Sequence, residues 1–172
     1  MKKTIHRIIY IIATIFVIGL LIPQDIQMPV EGGNQHSYNP ESFWHAGWGS
    51  SVVHKGVDIF ASRGTPVKSA TPGIVLCTAS MGKGGNCIIV LGPKWRIHYY
   101  AHLNEIKTSA FSPVSKNCVI GTVGNTGNAK KTPCHLHYSI ATLIPYPWRW
   151  DLSTQGWKKM FYLNPIHALE NK

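Results

Sequence analysis

The chain opens with one long apolar run, whereas its later apolar segments are short. The run from Ile8 to Ile22 holds 15 uncharged residues and follows the basic residues Lys2, Lys3 and Arg7. At 1.5 Å per residue it would be about 22 Å long as a helix, shorter than a typical hydrocarbon core. The length and the basic flank predict a short signal anchor or a secretory signal, with the rest of the chain outside the cytoplasm. We favour the anchor, because no A-x-A cleavage site follows the run.

From residue 51 onward the apolar segments are rich in β-branched and aromatic residues. Turns containing Gly or Pro separate them, at 63–66, 71–73, 92–93 and 124–127. Many short strands with such turns predict a mainly β domain built on an antiparallel sheet or sandwich, with little helix beyond the N-terminal run. The predicted strands are 67–69, 73–78, 86–91, 96–102, 118–123 and 135–141.

Composition adds a charge to this picture. The 172 residues are 44% hydrophobic and 14% charged, which indicates a folded chain rather than a disordered one. Seventeen Lys and Arg against seven Asp and Glu give a net charge of +10. That balance favours an anionic partner such as a cell-envelope surface. Nucleic acid would offer the same charge, but export and the absence of a recognition motif argue against it.

Export also affects the interpretation of the four cysteines, because disulfides persist outside the cytoplasm. Cys77 and Cys87 flank the Gly-rich segment 81–85, as they would across a hairpin. Of the three pairings that four cysteines allow, we therefore favour Cys77–Cys87 with Cys118–Cys134. A zinc knot is the poorer alternative, since the chain has no C-x-x-C.

Two histidines near the C-terminal end share one predicted strand. His135 and His137 are two residues apart, so their side chains point to the same face, with Cα atoms roughly 6.5–7 Å apart. Leu136 and Tyr138 then point to the other face. Two such imidazoles can both ligate one metal ion, or one can ligate it while the other reaches a metal-bound water.

A second group supplies another imidazole and a carboxylate. His54 and Asp58 are four residues apart and share a strand face only if the chain bends, for which Gly56 provides freedom. Two His and one Asp with an open fourth position are typical of a catalytic zinc site. A third histidine, His102, ends a predicted strand, and His98 has the same strand parity and could line the same cleft. We interpret the other histidines as core or surface residues: His6, His36, His45 and His167. Six aromatic residues could form the walls of a groove, although core packing is the simpler interpretation of any single one: Phe43, Trp44, Trp48, Trp95, Tyr99 and Tyr100.

Taken together, these motifs resemble those of the lysostaphin/LytM-type zinc endopeptidases. The resemblance runs from about residue 50 to 141 and includes the segments between the histidines. It implies a mostly antiparallel β fold of the duplicated hybrid motif type, with a groove along the sheet. The segments that carry it are His54–Ile59, Gly64–Val67, Gly73–Val75, Tyr100–Leu103, Gly124–Gly127 and His135–His137.

The resemblance also implies roles for five side chains. His54, Asp58 and His137 would be the ligands of one Zn²⁺ per chain. His102 and His135 would be the catalytic imidazoles beside a zinc-activated water, and which of them is the base stays open. The implied substrate is a peptide of bacterial peptidoglycan, with D-alanyl cross-links favoured.

We therefore predict three segments: a signal anchor or signal peptide (1–24), a linker and entry loop (25–50) and a zinc endopeptidase domain (51–172). The protein is expected to be a monomer held in the inner membrane and facing the periplasm or exterior, or else cleaved and secreted. Two other functions stay open. One is a non-catalytic wall-binding or activator module on the same fold, and the other is a secreted bacteriolytic hydrolase.

Overall fold

Short antiparallel strands make up most of the structure, a computed structural model that describes residues 2–48 and 51–170. The end of the predicted entry loop, residues 49–50, lies outside the described residues. The helices are α1 (Lys2–Leu21) and α2 (Pro165–Glu170), with 3₁₀ turns at Gln35–Ser37, Pro93–Trp95, Gly127–Ala129, Pro147–Arg149 and Gly156–Met160. The strands are β1 (Val57–Phe60), β2 (Pro66–Lys68), β3 (Gly73–Met81), β4 (Gly85–Gly92), β5 (Arg96–Leu103), β6 (Glu105–Ile106), β7 (Pro113–Val114), β8 (Val119–Thr122), β9 (His135–Thr142) and β10 (Tyr162–Leu163).

The strands form two antiparallel sheets. The larger follows the order β1-β9-β5-β4-β3-β7, and β10 pairs with the later part of β9. The smaller has the order β2-β8-β6. This architecture confirms the predicted mainly β, antiparallel fold with one N-terminal apolar helix.

The core lies behind the larger sheet and is filled by one face of its central strands. On β9, Leu136, Tyr138 and Ile140 are buried, as the alternation predicts, whereas His135 and His137 face the other way. The segment before residue 51 contributes as well, because Ile26 and Val30 pack into the same cluster. The domain therefore presents the opposite face of β9 for chemistry.

Helix α1 extends over the whole basic and apolar N-terminus. Residues Lys3–Leu21 are long and apolar enough to cross a membrane, and none of that window is buried inside the protein. Near its end, the Phe16 ring stacks on Trp95 at 6.0 Å between centroids, and Trp95 Nε1–H donates to Phe16 O at 2.9 Å. The helix thus leaves the domain at the Pro93–Trp95 corner.

The predicted disulfides are wrong: all four cysteines are free thiols. The β3–β4 hairpin forms as expected, but its register pairs Cys77 with Ile89 and Cys87 with Ala79. The two cysteines are therefore diagonal neighbours, with Cα atoms about 7–8 Å apart, which is more than the usual Cα–Cα distance across a disulfide. Cys118 and Cys134 lie at opposite ends of β8, because His135 bridges Gly124, which follows that strand.

His98 does not line the cleft with His102, contrary to the expectation from strand parity. Its side chain is fully buried, and its Nδ1 lies 2.7 Å from the Tyr138 hydroxyl. The alternation breaks at His102, which has a φ of +63°. Burial, together with the charge of Arg96, lowers the pKa of His98 to about 3.

The protein is expected to become less stable as the pH decreases below about 6.5, because of His98. Between about pH 6.5 and its folded pKa, the unfolded chain binds a proton at His98 that the folded chain excludes. The free energy of unfolding should lose up to about 1.4 kcal/mol per pH unit from this group. We predict that His98→Gln flattens this slope in urea unfolding from pH 7 to 4 in nonionic micelles, whereas His36→Gln, at an exposed site, does not. Equal slopes for the two variants would contradict the assignment.

Candidate active site

Strand pairing brings the predicted site residues to one face of the larger sheet. β9 lies between β1 and β5, and its His137 is opposite Asp58 on one side and Ala101 on the other. His102 follows Ala101 directly, and His54 precedes β1. All five predicted site residues therefore meet at the same end of the sheet.

Three of these side chains converge on a common point. His54 Nε2 lies 3.0 Å from His137 Nδ1 and 3.1 Å from Asp58 Oδ1, and His137 Nδ1 lies 2.8 Å from the same carboxylate oxygen. The described residues contain this His-Asp-His group as a set able to hold a metal ion. His54 is buried, while Asp58 and His137 are partly exposed, so the point is reachable from solvent.

The donor chemistry fits a cation better than a set of hydrogen bonds. The second nitrogen of His54, Nδ1, lies 3.1 Å from Ser42 O and can donate only if it carries the proton. Nε2 then presents a lone pair toward the two other ligand atoms, an arrangement common among metal-binding histidines. Ligands 2.0–2.1 Å from a tetrahedral zinc are about 3.3 Å apart, close to the spacing found here. Two nitrogens and one carboxylate oxygen suit zinc better than calcium or magnesium.

His102 and His135 stand beside this group without belonging to it. Their rings are 5.0 Å apart between centroids, and His135 Nε2 lies 3.9 Å from Asp58 Oδ2. The Nδ1 atoms lie 3.0 Å from Thr126 O and 2.8 Å from Pro133 O, respectively. Protonated Nδ1 atoms in these bonds leave both Nε2 atoms as proton acceptors.

The electrostatics favour the neutral form of His102 and His137 and the charged form of the Asp58 carboxylate. Burial raises the pKa of Asp58, but the hydrogen bonds and charges of His137 and His54 outweigh it and hold the pKa well below its usual range. Burial lowers the pKa of His137, an effect that the Asp58 carboxylate partly offsets. Burial, with His135 and His137 nearby, lowers the pKa of His102 to about 4. Neutral imidazoles are the form that binds metals and accepts protons.

A groove runs past this centre, and only some of the predicted aromatic walls line it. Trp48 stacks on His54 at 4.2 Å between centroids, and Tyr99 lines both adjoining cavities, of about 140 and 200 Å³. Lys55 and Lys83 each line one of those cavities. The other predicted walls lie elsewhere: Tyr100 in the core, Trp95 against α1, and Phe43 and Trp44 on a separate cavity.

Gly56 matters for space rather than for an unusual backbone conformation. A Cβ there would lie 2.5 Å from Tyr138 O and 2.9 Å from His137 Cε1. Its φ is not positive, so the bend between His54 and Asp58 needs no left-handed residue. The glycine instead lets the chain pass close to β9, which brings His54 to His137.

A methyl group at Gly56 is expected to disturb the site. Gly56→Ala should cost about 2 kcal/mol of stability through overpacking and lower zinc affinity at least tenfold, since the clash is with backbone and with His137. Gly47→Ala is the control, because its Cβ meets nothing within 4 Å, although its φ of +81° adds strain of about 1–2 kcal/mol. Zinc affinity by competition with a chelating dye checks this. Equal affinities in the two variants would contradict it.

Backbone carbonyls that orient the imidazoles were not found from the sequence. Ser42, Thr126 and Pro133 act through their carbonyl oxygens. A carbonyl group is present at every position, so no residue type marks it. Of these three positions, only Thr126 lies in a turn that the sequence predicts, at residues 124–127.

Comparison with protein families shows which family contains this chain. Residues 52–145, more than half of the chain, match the model of Peptidase family M23. The chain belongs to peptidase family M23. The matched region contains all five of the site residues described above.

Individual M23 relatives cover part of the chain. An L-Ala–D-Glu endopeptidase of Bacillus subtilis is 39% identical over 60% of this chain and 34% of its own length. The peptidoglycan DD-endopeptidase ShyA of Vibrio cholerae is 33% identical over 51% of this chain and 20% of its own length. The chain thus spans about a third or less of these relatives.

Solved structures of M23 proteins share the fold. The lysostaphin catalytic domain of Staphylococcus simulans has a TM-score of 0.57 and 25% identity, over 64% of this chain and 81% of that one. A zinc-containing peptidase from Vibrio cholerae has a TM-score of 0.57 and 26% identity, over 69% of this chain and 36% of that one.

Proposed function

We propose that this M23 protein is a zinc-dependent endopeptidase that hydrolyses peptide bonds of bacterial peptidoglycan. The observation that carries the proposal is the convergence of His54, Asp58 and His137 within about 3 Å of one another. Two further imidazoles beside them argue for catalysis, because a wall-binding module on the same fold would have no use for them.

In this proposal, His54, Asp58 and His137 hold one Zn²⁺. The ion supplies a Lewis acid and brings the pKa of a coordinated water toward neutrality. Ser42 fixes the His54 ring through its carbonyl, and the Asp58 carboxylate offsets part of the cation's charge.

His102 and His135 perform the proton transfers. One Nε2 takes a proton of the attacking water as general base, and the other, which stays neutral, accepts a hydrogen bond from the second hydrogen of that water and so orients it toward the scissile carbonyl. The proton taken from the water then passes to the leaving amine, which completes hydrolysis of the peptide bond. Thr126 and Pro133 hold the two rings in the required tautomer through their carbonyl groups.

The D-alanyl cross-link is the bond we propose first. DD-endopeptidases of Vibrio and Neisseria are among the relatives. Stem peptides carry free carboxylates, and Lys55 and Lys83 in the groove walls are suited to pair with them. The L-Ala–D-Glu bond is the competing choice, because a relative named for that bond is also similar.

The protein is further proposed to act as a monomer on the outer side of the inner membrane, with α1 as its anchor. The support is the length and apolar character of Lys3–Leu21 and its exposure in the described structure. Cleavage and secretion is the alternative, and carbonate extraction of membranes separates the two.

Digestion of purified sacculi tests the proposed activity. The full chain in nonionic micelles, loaded with zinc, is incubated with sacculi with and without a chelator, and the products are identified by mass spectrometry. After the treated sacculi are digested with a muramidase, we expect an increase in monomeric muropeptides whose stem peptides end in D-alanine, and no such increase with chelator. Cleavage between L-Ala and D-Glu would overturn the bond assignment. If no new fragment forms, the proposed enzymatic activity is wrong.

A further inference from the structure

A second cavity, of about 750 Å³, lies beside the groove and separate from it. Trp44 lines this cavity and Tyr162 lines the groove, and their rings are 6.1 Å apart between centroids. The two side chains thus form a partition. None of the three proposed metal ligands and two proposed catalytic imidazoles lines the second cavity, so the peptidase chemistry leaves it unexplained.

The cavity concentrates positive charge. Arg96, Arg149 and Lys159 line it, with Asp25 and His167 as the other ionisable groups. Asp25 is already paired with Lys116, and Lys159 is paired with Asp151. The buried Nε of Arg96 has no hydrogen-bond partner within the described parts of the chain. Buried donors of this kind cost free energy unless an acceptor reaches them.

The two guanidinium groups also act on each other. Burial lowers the pKa of Arg149, Tyr146 partly opposes this effect, and the charge of Arg96 lowers the pKa further by a smaller amount. An anion between the two side chains would offset this repulsion. Arginine forks suit phosphate and carboxylate oxygens in particular.

The position of the cavity indicates that the anion belongs to a membrane lipid. Gln24 and Asp25, which line it, follow the end of α1 by only a few residues, and Arg96 Nη1 donates to Gln24 Oε1. Trp95, next to Arg96, packs on Phe16 of α1. If α1 spans the membrane, the cavity lies at the level of the lipid headgroups.

A neighbouring surface has the composition of a membrane interface. Residues 143–159, which we call the tryptophan segment, expose large apolar side chains: Leu143, Trp148, Trp150, Leu152 and Trp157. Arg149 stands between Trp148 and Trp150, and Lys158 and Lys159 follow Trp157. Trp at the headgroup level and basic residues facing anionic lipids are typical of such interfaces. The segment is joined to the α1 corner, because Leu143 N–H donates to Trp95 O.

We propose that the cavity binds the phosphate of an anionic phospholipid headgroup while the tryptophan segment rests in the membrane interface. The lipid would give the catalytic domain a second attachment beside α1 and so hold its groove at a fixed height above the bilayer. The choice of lipid rests on the proposed anchor, but it does not depend on the peptidase chemistry.

Lipid retention measured by native mass spectrometry tests this site. The full chain, released from nonionic micelles, is titrated with dihexanoyl phosphatidylglycerol, dihexanoyl phosphatidylcholine, glycerol phosphate and a stem tetrapeptide. We expect one phosphatidylglycerol per chain, with phosphatidylcholine and glycerol phosphate held at least tenfold more weakly. Arg96→Gln and Arg149→Gln should each weaken retention about tenfold or more. Lys107→Gln removes the same charge outside the cavity and should have no effect.

Each other outcome overturns the proposal in a different way. Equal weakening by Lys107→Gln would indicate diffuse surface charge. Equal affinity for glycerol phosphate would indicate a phosphate site without a lipid. Tighter binding of the tetrapeptide, lost in Arg96→Gln, would make the cavity a substrate site. None of these measurements depends on hydrolysis, so the peptidase proposal stands or fails separately.

Discussion

Replacing His137 by alanine is expected to abolish zinc binding and hydrolysis together. His137 Nδ1 contributes one of three atoms at the proposed metal position, and its removal leaves only His54 and Asp58. Two ligands cannot hold the ion at the affinity of three, and every proposed proton transfer needs the ion in place. Zinc per chain by elemental analysis should fall from about one to near zero, and cleavage of cross-links in sacculi should fall to background.

The control for this variant is His36→Ala, which removes an exposed imidazole that is not one of the five site residues. It should keep both the zinc and the activity. A His137→Ala protein that still carries stoichiometric zinc would show that the ligand assignment is wrong. Circular dichroism separates loss of the ion from loss of the fold.

Replacing His135 by alanine is expected to separate metal binding from catalysis. The ring stands beside the three ligand atoms, with its Nε2 3.9 Å from Asp58 Oδ2, and it contributes none of the three. We therefore expect zinc content to stay near one per chain, while kcat falls by about 10²–10⁴-fold, the usual contribution of a proton-transferring group. Elemental analysis and steady-state rates on a soluble cross-linked muropeptide check both halves.

His102→Ala should behave in the same way, since its ring is 5.0 Å from that of His135 and shares its proposed task. If the two groups act in one proton-transfer sequence, the double variant should lose little more than either single variant. Loss of zinc in either single variant would move that histidine into the ligand set. Unchanged kcat in both would remove the catalytic role.

Most of the sheet could be predicted because its strands have clear local signals. The segments 86–91, 96–102 and 135–141 alternate or are β-branched, and they match β4, β5 and β9 within one residue at each end. Strand β1 was not predicted, because it is only four residues long and begins within the His54–Asp58 motif. The two-residue strands β6, β7 and β10 exist through pairing with distant neighbours, which local patterns do not record.

The five site residues were nominated by residue type and by resemblance, and the structure brings them together. Their convergence required the register that sets Asp58 opposite His137, which no local pattern specifies. Long-range register also explains the disulfide error, because a hairpin was predicted correctly but its exact pairing was not. The roles of the five residues remain predictions for the experiments above.

X-ray absorption at the zinc edge of the zinc-loaded full chain tests the central claim most directly. Four free cysteines make thiolate binding a real alternative, and sulfur and nitrogen ligands differ in distance. The account predicts only nitrogen and oxygen neighbours at about 2.0–2.1 Å, with the outer-shell scattering of two imidazoles. A sulfur neighbour at about 2.3 Å would contradict it, because His54, Asp58 and His137 would then not be the residues that hold the ion.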